Sequence, residues 1–174
     1  ELLDGLFSRL ESIPVKEVWM MDLDAARLKI NADFARRMAA KHGNPFSVHE
    51  TTNMREAVAG AKYVITQIRV GQMQARIEDE RLGLRHNIIG QETTGVGGFA
   101  CAIRTIPRIL DVAHAMEELA PEGYLLNFTN PAGIVTEAVL KHSKIKSVGL
   151  CNVPIGMIME TIKYFGGEVS DIEL

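Results

Sequence analysis

Tyr124-Leu-Leu-Asn-Phe-Thr-Asn-Pro-Ala-Gly133 is the stretch that decides the fold. Tyr124 to Leu126 reads as a short buried strand. Pro131 opens a helix running to Lys141, since proline is tolerated in a first turn, where its missing N–H costs no bond. The polar block from Asn127 to Asn130 therefore sits at a strand's carboxyl end. Further on, Gly149-Leu-Cys-Asn-Val-Pro-Ile-Gly156 repeats the design. Ser147 to Leu150 reads as a strand and Pro154 to Phe165 as a helix, with Cys151 and Asn152 at the junction. In open α/β sheets, ligands sit beyond the carboxyl ends of the strands. Asn127, Thr129, Asn130, Cys151 and Asn152 all emerge there, and one thiol with three carboxamides suits a metal and a polyhydroxy ligand.

Outward from this stretch, strands alternate with helices. Glu17 to Asp22 is an apolar run ending in an acid. From Asp24 a helix follows, with Ile30, Phe34 and Met38 recurring four apart and the basic residues on other faces. Gly43-Asn44-Pro45 stops it. Phe46 to Glu50 alternates like a strand, and Asn53 N-caps a short helix ending at Gly60. Lys62 to Gln67 is the next buried strand, and Gln72 to Leu84 is helical. Gln91 to Gly98 reads as a polar, glycine-rich loop, and Phe99 to Leu119 as one long helix with a kink or restart near Pro107. This alternation predicts an α/β fold, a Rossmann-like, doubly wound, mostly parallel sheet in a single domain over residues 1–174. The chain opens in a helix already under way and stops as another strand begins near Ser170. Both ends read as cuts in a longer protein.

Composition excludes several classes. The 174 residues suit one domain with a sizeable core. A net charge of -3 and no basic block argue against a nucleic-acid partner. No apolar run approaches membrane-spanning length. Two cysteines make no disulfide framework, and a cytoplasmic location is the default.

Individual residues read two ways. Asp22 closes a strand where dinucleotide-binding folds place a ribose-binding acid, or is a surface acid beside the helix cap. Glu92 is the single charge in the glycine-rich loop, which serves a site or only turns the chain. Cys151 alone reads as an inert thiol, and Cys101, mid-helix among apolar residues, as core. No His or Cys spacing completes a metal site, and the five histidines are scattered. Arg69 and Arg76, seven apart, could share a helix face for anion recognition, or pair with Glu78, Asp79 or Glu80.

Taken together, six segments resemble glycoside hydrolase family 4: Gln67-Ile-Arg-Val-Gly71, Ala75-Arg-Ile-Glu-Asp-Glu-Arg81, Ile89-Gly-Gln-Glu-Thr-Thr-Gly95, Arg104-Thr-Ile-Pro107, and the two blocks ending at Gly133 and Gly156. The resemblance runs over essentially the whole chain. It implies a fold similar to lactate and malate dehydrogenases. It also implies an NAD- and Mn2+-dependent 6-phospho-glycosidase, an exception to the two-carboxylate scheme. The sugar is oxidised at C3, a base removes the C2 proton, and the C1–O bond breaks by elimination. Water then adds at C1, and the hydride returns. By the same resemblance, Cys151 is a metal ligand, Arg76, Asn130 and Asn152 bind substrate, and Glu92 raises the basicity of a catalytic tyrosine. Asp22, Gln67 and Asn127 contact NAD.

Members that cleave α-linked 6-phospho-glucosides carry Asp after the cysteine, where this chain has Asn152. That points to 6-phospho-β-glucosides such as cellobiose 6-phosphate. The resemblance also implies a first strand with a glycine-rich turn, a metal-binding histidine and a tyrosine base, none matched here. The 174-residue piece is therefore expected to be inactive alone, and its parent to be a homodimer or homotetramer. Competing readings are a 6-phospho-α-glucosidase or related family member, a 2-hydroxy acid dehydrogenase, and a non-catalytic NAD- or sugar-phosphate-binding module.

Overall fold

The computed structural model describes residues 2–172. Its contacts separate into two compact units, divided between Ala61 and Lys62.

The first unit contains α1 (Leu2–Phe7), β1 (Glu17–Met21), α2 (Ala25–Lys41), β2 (Ser47–Thr51) and α3 (Met54–Val58). β1 and β2 pair in parallel, with Glu17 opposite Ser47 and Met21 opposite Thr51. Asp24 starts α2, its carboxylate accepting from the N–H groups of Ala26 and Arg27. These are two of the donors that a helix start leaves unpaired. Asn53 does the same for α3 through the N–H of Arg55.

Two apolar stripes run along α2. Leu28, Ala32, Ala35 and Ala39 are buried, whereas Ile30 and Phe34 are 69% and 54% exposed. Both stripes have helical spacing, so periodicity could not choose between them. Alanines let the helix backbone approach the sheet closely, so Ile30 and Phe34 are left outside, while Met38 packs against the core. Phe7, Ala39 and Phe46 form the buried cluster of this unit, with Val18 and Val48 packed against it. Phe7 stacks on His42 and Phe46, at centroid distances of 4.3 and 5.1 Å. His42 is thus a packing residue.

The second unit contains β3 (Tyr63–Thr66), α4 (Gln72–Arg85), α5 (Gly95–Leu119), β4 (Tyr124–Asn127), α6 (Ala132–His142), β5 (Lys146–Gly149) and α7 (Asn152–Phe165). Its sheet is parallel, in the order β3-β4-β5. Parallel strands joined through helices in both units are the expected α/β, Rossmann-like arrangement. β4 is the central strand, and Leu125 on it is fully buried. β3 is less buried than expected, with Tyr63 53% exposed and Ile65 45%.

The glycine-rich loop is shorter than expected, because Gly95 to Gly98 already form the first turn of α5. The reason is close packing. A Cβ on Gly97 would lie 2.1 Å from the Gln91 carbonyl oxygen, and one on Gly90 would lie 2.0 Å from that of Glu80. These glycines bring the loop before α5 onto the backbone of α4, trading helix propensity for contact. α5 runs through Pro107 as one helix. At the chain's end, Val169–Asp171 is a turn of 3-10 helix where a strand was expected. Glu173 and Leu174 lie outside the described residues, as does Glu1 at the start of the expected first helix.

Candidate active site at the strand ends

The register of the second sheet sets the site. Thr66, Asn127 and Gly149 are aligned across β3, β4 and β5. The residues that follow them, Gln67 to Arg69, Phe128 to Asn130 and Leu150 to Asn152, therefore leave the sheet along one carboxyl edge. Main-chain bonds hold these exits together. The Phe128 N–H donates to the Thr66 carbonyl at 2.8 Å, and the Leu150 N–H to the Asn127 carbonyl at 2.9 Å.

Asn127 is fully buried. Its Oδ1 accepts from the Thr66 hydroxyl and the Thr129 N–H, both at 3.0 Å. Its Nδ2 donates to the Thr129 carbonyl and the Thr136 hydroxyl, both at 3.1 Å. A carboxamide has two donor hydrogens and two acceptor lone pairs. The side chain's hydrogen-bonding capacity is taken up within the protein. It is a post that fixes the loop bearing Asn130. Thr129, 1% exposed, extends the post by accepting from the Ile68 N–H at 3.0 Å.

A cleft of about 260 Å³ opens at this edge. Gln67, Ile68 and Arg69 form one wall, and Phe128 and Asn130 the other. Cys101 and Thr105 of α5 line its floor. Cys101 is buried as expected, but its Sγ also faces the Asn130 carbonyl at 3.7 Å. Sequence reasoning missed both floor residues. Four-residue spacing on α5 shows that they share a face, but only the tertiary arrangement shows that a cleft lies over it.

Arg69 connects this cleft to the charged residues. It precedes α4, so it does not share a helix face with Arg76, as the seven-residue spacing suggested. The two meet on Glu92. Arg69 Nη2 pairs with one carboxylate oxygen, and Arg76 Nη2 with the other at 3.0 Å. Arg76 Nε also donates to Glu80 at 2.8 Å. The Glu80 hydrogen bond, followed by the charge of Glu92, raises the Arg76 pKa above the ordinary arginine value. Two cations and two carboxylates thus stand together beside the strand edge.

A second arginine-carboxylate pair, which the sequence reading did not foresee, fixes this cluster. Arg104 of α5 reaches both oxygens of buried Asp79 on α4, at 3.1 and 2.5 Å. Its Nε donates to the Val70 carbonyl at 2.9 Å. One guanidinium thus ties α4, α5 and the segment carrying Arg69. The Asp79 hydrogen bond raises the Arg104 pKa.

Cys151 and Asn152 are exposed at the start of α7, Cys151 as its N-cap residue. Among the described residues, no three His, Cys, Asp or Glu side chains converge as a metal site. Cys151 is therefore a single donor, short of the three protein ligands usual for a catalytic centre. Tyr63, Tyr124 and Tyr164 lie on β3, β4 and α7.

Asp22 belongs to the first unit. Arg27 grips it through Nε at 2.7 Å and Nη2 at 2.6 Å, and the Asp24 N–H donates to Oδ1 at 3.0 Å. These bonds use three of its roughly four acceptor sites, leaving one open. The Arg27 hydrogen bond is the main cause lowering its pKa below 3.8. The ionised form is the one favoured by folding, so its contribution is complete above that value and is lost as pH falls through the folded pKa. Asp22→Asn should therefore lower stability by a constant amount above about pH 5, with the difference shrinking in more acid solution. Unfolding of both proteins by urea across pH 2.5 to 6, roughly the window in which carboxylates titrate, measures this. A difference independent of pH would contradict it.

Comparison with known proteins bears on both units. The family described as Family 4 glycosyl hydrolase matches residues 1–166. The "Probable 6-phospho-beta-glucosidase" of Bacillus subtilis (strain 168) is 46% identical over 177 aligned residues, covering 100% of this chain and 40% of that protein. The "6-phospho-alpha-glucosidase 1" of Lacticaseibacillus paracasei is 34% identical, over 88% of this chain and 35% of that protein. A solved structure of the 6-phospho-beta glucosidase from Thermotoga maritima, with manganese, NAD+ and glucose-6-phosphate, superposes with a TM-score of 0.90 at 37% identity. It covers 99% of this chain and 42% of that one. Lactate dehydrogenase from Eimeria maxima shares the fold alone, with a TM-score of 0.65 at 13% identity. This chain spans about two fifths of the length of the curated relatives it matches. No helix among the described residues is long and apolar enough to cross a membrane.

Proposed function

The chain belongs to the family 4 glycosyl hydrolases, and on that premise we propose that it is the cofactor-binding part of a 6-phospho-β-glucosidase. The whole stretch 1–174 is read as the NAD-binding portion, with the rest of the catalytic apparatus on the remainder of the protein. The observation that carries this reading is the shared carboxyl edge. It brings Asn130, Cys151 and Asn152 to one side of a parallel sheet, with the Arg69–Glu92–Arg76 cluster joined to the same cleft. The 46% identity to a relative named for β-linked substrates, against 34% to one named for α-linked substrates, supports the β reading.

When bound, NAD supplies a hydride acceptor and donor, and a divalent ion supplies Lewis acidity. For NAD, Asp22 retains an acceptor site on the first unit, and Gln67 lines the cleft of the second. For the metal, Cys151 fits as one donor, and its partners must come from outside the described residues. The roles of the remaining residues follow from their chemistry. Arg76 presents a guanidinium to the phosphate of the substrate, whose dianion matches its planar fork. Asn130, exposed on the cleft wall, offers both donor and acceptor to a sugar hydroxyl. Glu92 supplies a fixed negative charge toward the base provided elsewhere. Asn152, a carboxamide, orients substrate but neither gives nor takes a proton, as a β-selective site without an acid at that position requires.

We infer a cytoplasmic, oligomeric enzyme, in keeping with two free cysteines and a substrate that is already phosphorylated. The test is an assay of the full-length protein on chromogenic 6-phospho-β-glucoside, 6-phospho-α-glucoside and 6-phospho-β-galactoside, omitting NAD+ and Mn2+ in turn. Cleavage confined to the β-glucoside and abolished by each omission is expected. Cleavage that survives both omissions contradicts the proposal. Preference for the α-linked substrate would overturn the role given to Asn152.

A further inference from the structure

Glu92 is held from both sides. Arg69 takes one carboxylate oxygen and Arg76 the other, so a single negative charge is shared by two guanidinium groups. Arg76 in turn is held by two carboxylates, Glu92 and Glu80. A guanidinium in that position is fully compensated before any ligand arrives. If it must also meet an incoming phosphate, it has to loosen its hold on one glutamate, and that glutamate must not be left uncompensated. Removing the partner of a poorly solvated charge costs more than the bond itself returns. Glu92 is only 22% exposed, against 40% for Glu80, so Glu92 is the more costly of the two to abandon.

Arg69 resolves this difficulty. It reaches Glu92 from the cleft wall, whereas Arg76 reaches it from the first turns of α4. Among the described residues, the Arg69 guanidinium bonds to one side chain, that of Glu92, through Nη2. We propose that Arg69 is a positioning residue that keeps Glu92 neutralised, so that Arg76 is free to turn from Glu92 to the anionic end of a phosphorylated sugar. This deepens the reading given above and rests on it for the nature of the ligand. Arg69 acts through its neighbours: without it, Arg76 becomes the sole counter-charge of Glu92 and is withdrawn from the ligand.

Arg69 and Glu92 should be coupled in a way that neither a direct contact of Arg69 with the ligand nor a structural role would produce. In the full-length protein, binding of glucose 6-phosphate is measured by titration calorimetry. Arg69→Met should weaken it about tenfold, the scale of one charged hydrogen bond. Adding Glu92→Gln removes the charge that traps Arg76, so the double variant should bind more tightly than Arg69→Met alone. Arg69→Lys, which keeps the charge, should recover part of the loss, and binding of glucose should not change in any variant. If Glu92→Gln fails to rescue Arg69→Met, the proposal is wrong, and Arg69 contacts the ligand itself or merely supports the fold. If the wild-type protein does not bind glucose 6-phosphate, both this inference and the functional reading fail. Should it bind glucose 6-phosphate with the predicted rescue yet cleave no 6-phospho-β-glucoside, the inference stands and the proposed reaction falls.

Discussion

Replacing Cys151 by Ser in the full-length protein is expected to reduce kcat/KM on a 6-phospho-β-glucoside on the order of a thousandfold, more than the roughly 10- to 100-fold typical of changing a residue that only orients a metal ligand. A thiolate is an anionic metal donor, whereas a serine hydroxyl is neutral at physiological pH and binds a divalent ion poorly. Cys151 is exposed at the N-cap of α7, so its exchange for serine should leave folding intact. The thermal midpoint should therefore hold while the Mn2+ concentration needed for half-activation rises steeply. Cys151→Asp restores an anionic donor of a kind that suits Mn2+ and should recover part of the activity. An unchanged Mn2+ dependence in Cys151→Ser would remove the residue from the metal site.

The second large effect is on stability. Arg104→Met leaves Asp79, only 7% exposed, without its bidentate partner. Breaking a buried pair from one side costs about 3 to 5 kcal/mol. Since Arg104 is itself 29% exposed, the lower end is expected here. For a domain of roughly this size, about 3 kcal/mol lowers Tm by about 10 °C. Removing the stranded charge as well, in Arg104→Met with Asp79→Leu, should recover most of the loss, because two apolar side chains can fill what the pair occupied. Thermal unfolding of the three full-length proteins decides the matter. A double variant no more stable than Arg104→Met would show that the Val70 carbonyl bond, and not the charge pair, dominates.

The order of elements was legible because local signals agreed with tertiary structure. Asp24 and Asn53 cap the helices expected of them, and the two proline-led helices begin within two residues of their prolines. What local pattern could not reveal was competition between equally spaced faces. In α2 the alanine stripe is buried, not the larger one through Ile30 and Phe34. The length of the glycine-rich loop failed for a related reason. Gly95 to Gly98 are poor helix formers, but at Gly97 and Gly98 no Cβ fits against the neighbouring backbone.

The site shows the same division. The positions of Asn130, Cys151 and Asn152 followed from strand-to-helix junctions alone. Asn127 belongs to the same block, but its neighbours consume all its hydrogen-bonding capacity, which no one-dimensional pattern can show. The meeting of Arg69, Arg76 and Glu92 depends on how the loop before α5 packs against α4. Spacing between the two arginines suggested a shared helix face, whereas the structure gives them a shared partner.

The most direct measurement is made on the product. The full-length protein is given a 6-phospho-β-glucoside in D2O, and the glucose 6-phosphate released is analysed by proton NMR. A proton removed from C2 and returned from solvent leaves deuterium there, so loss of the C2 proton signal is the predicted result. Glucose 6-phosphate that keeps a full C2 proton would mean that the glycosidic bond breaks without proton removal at C2, and would contradict the account.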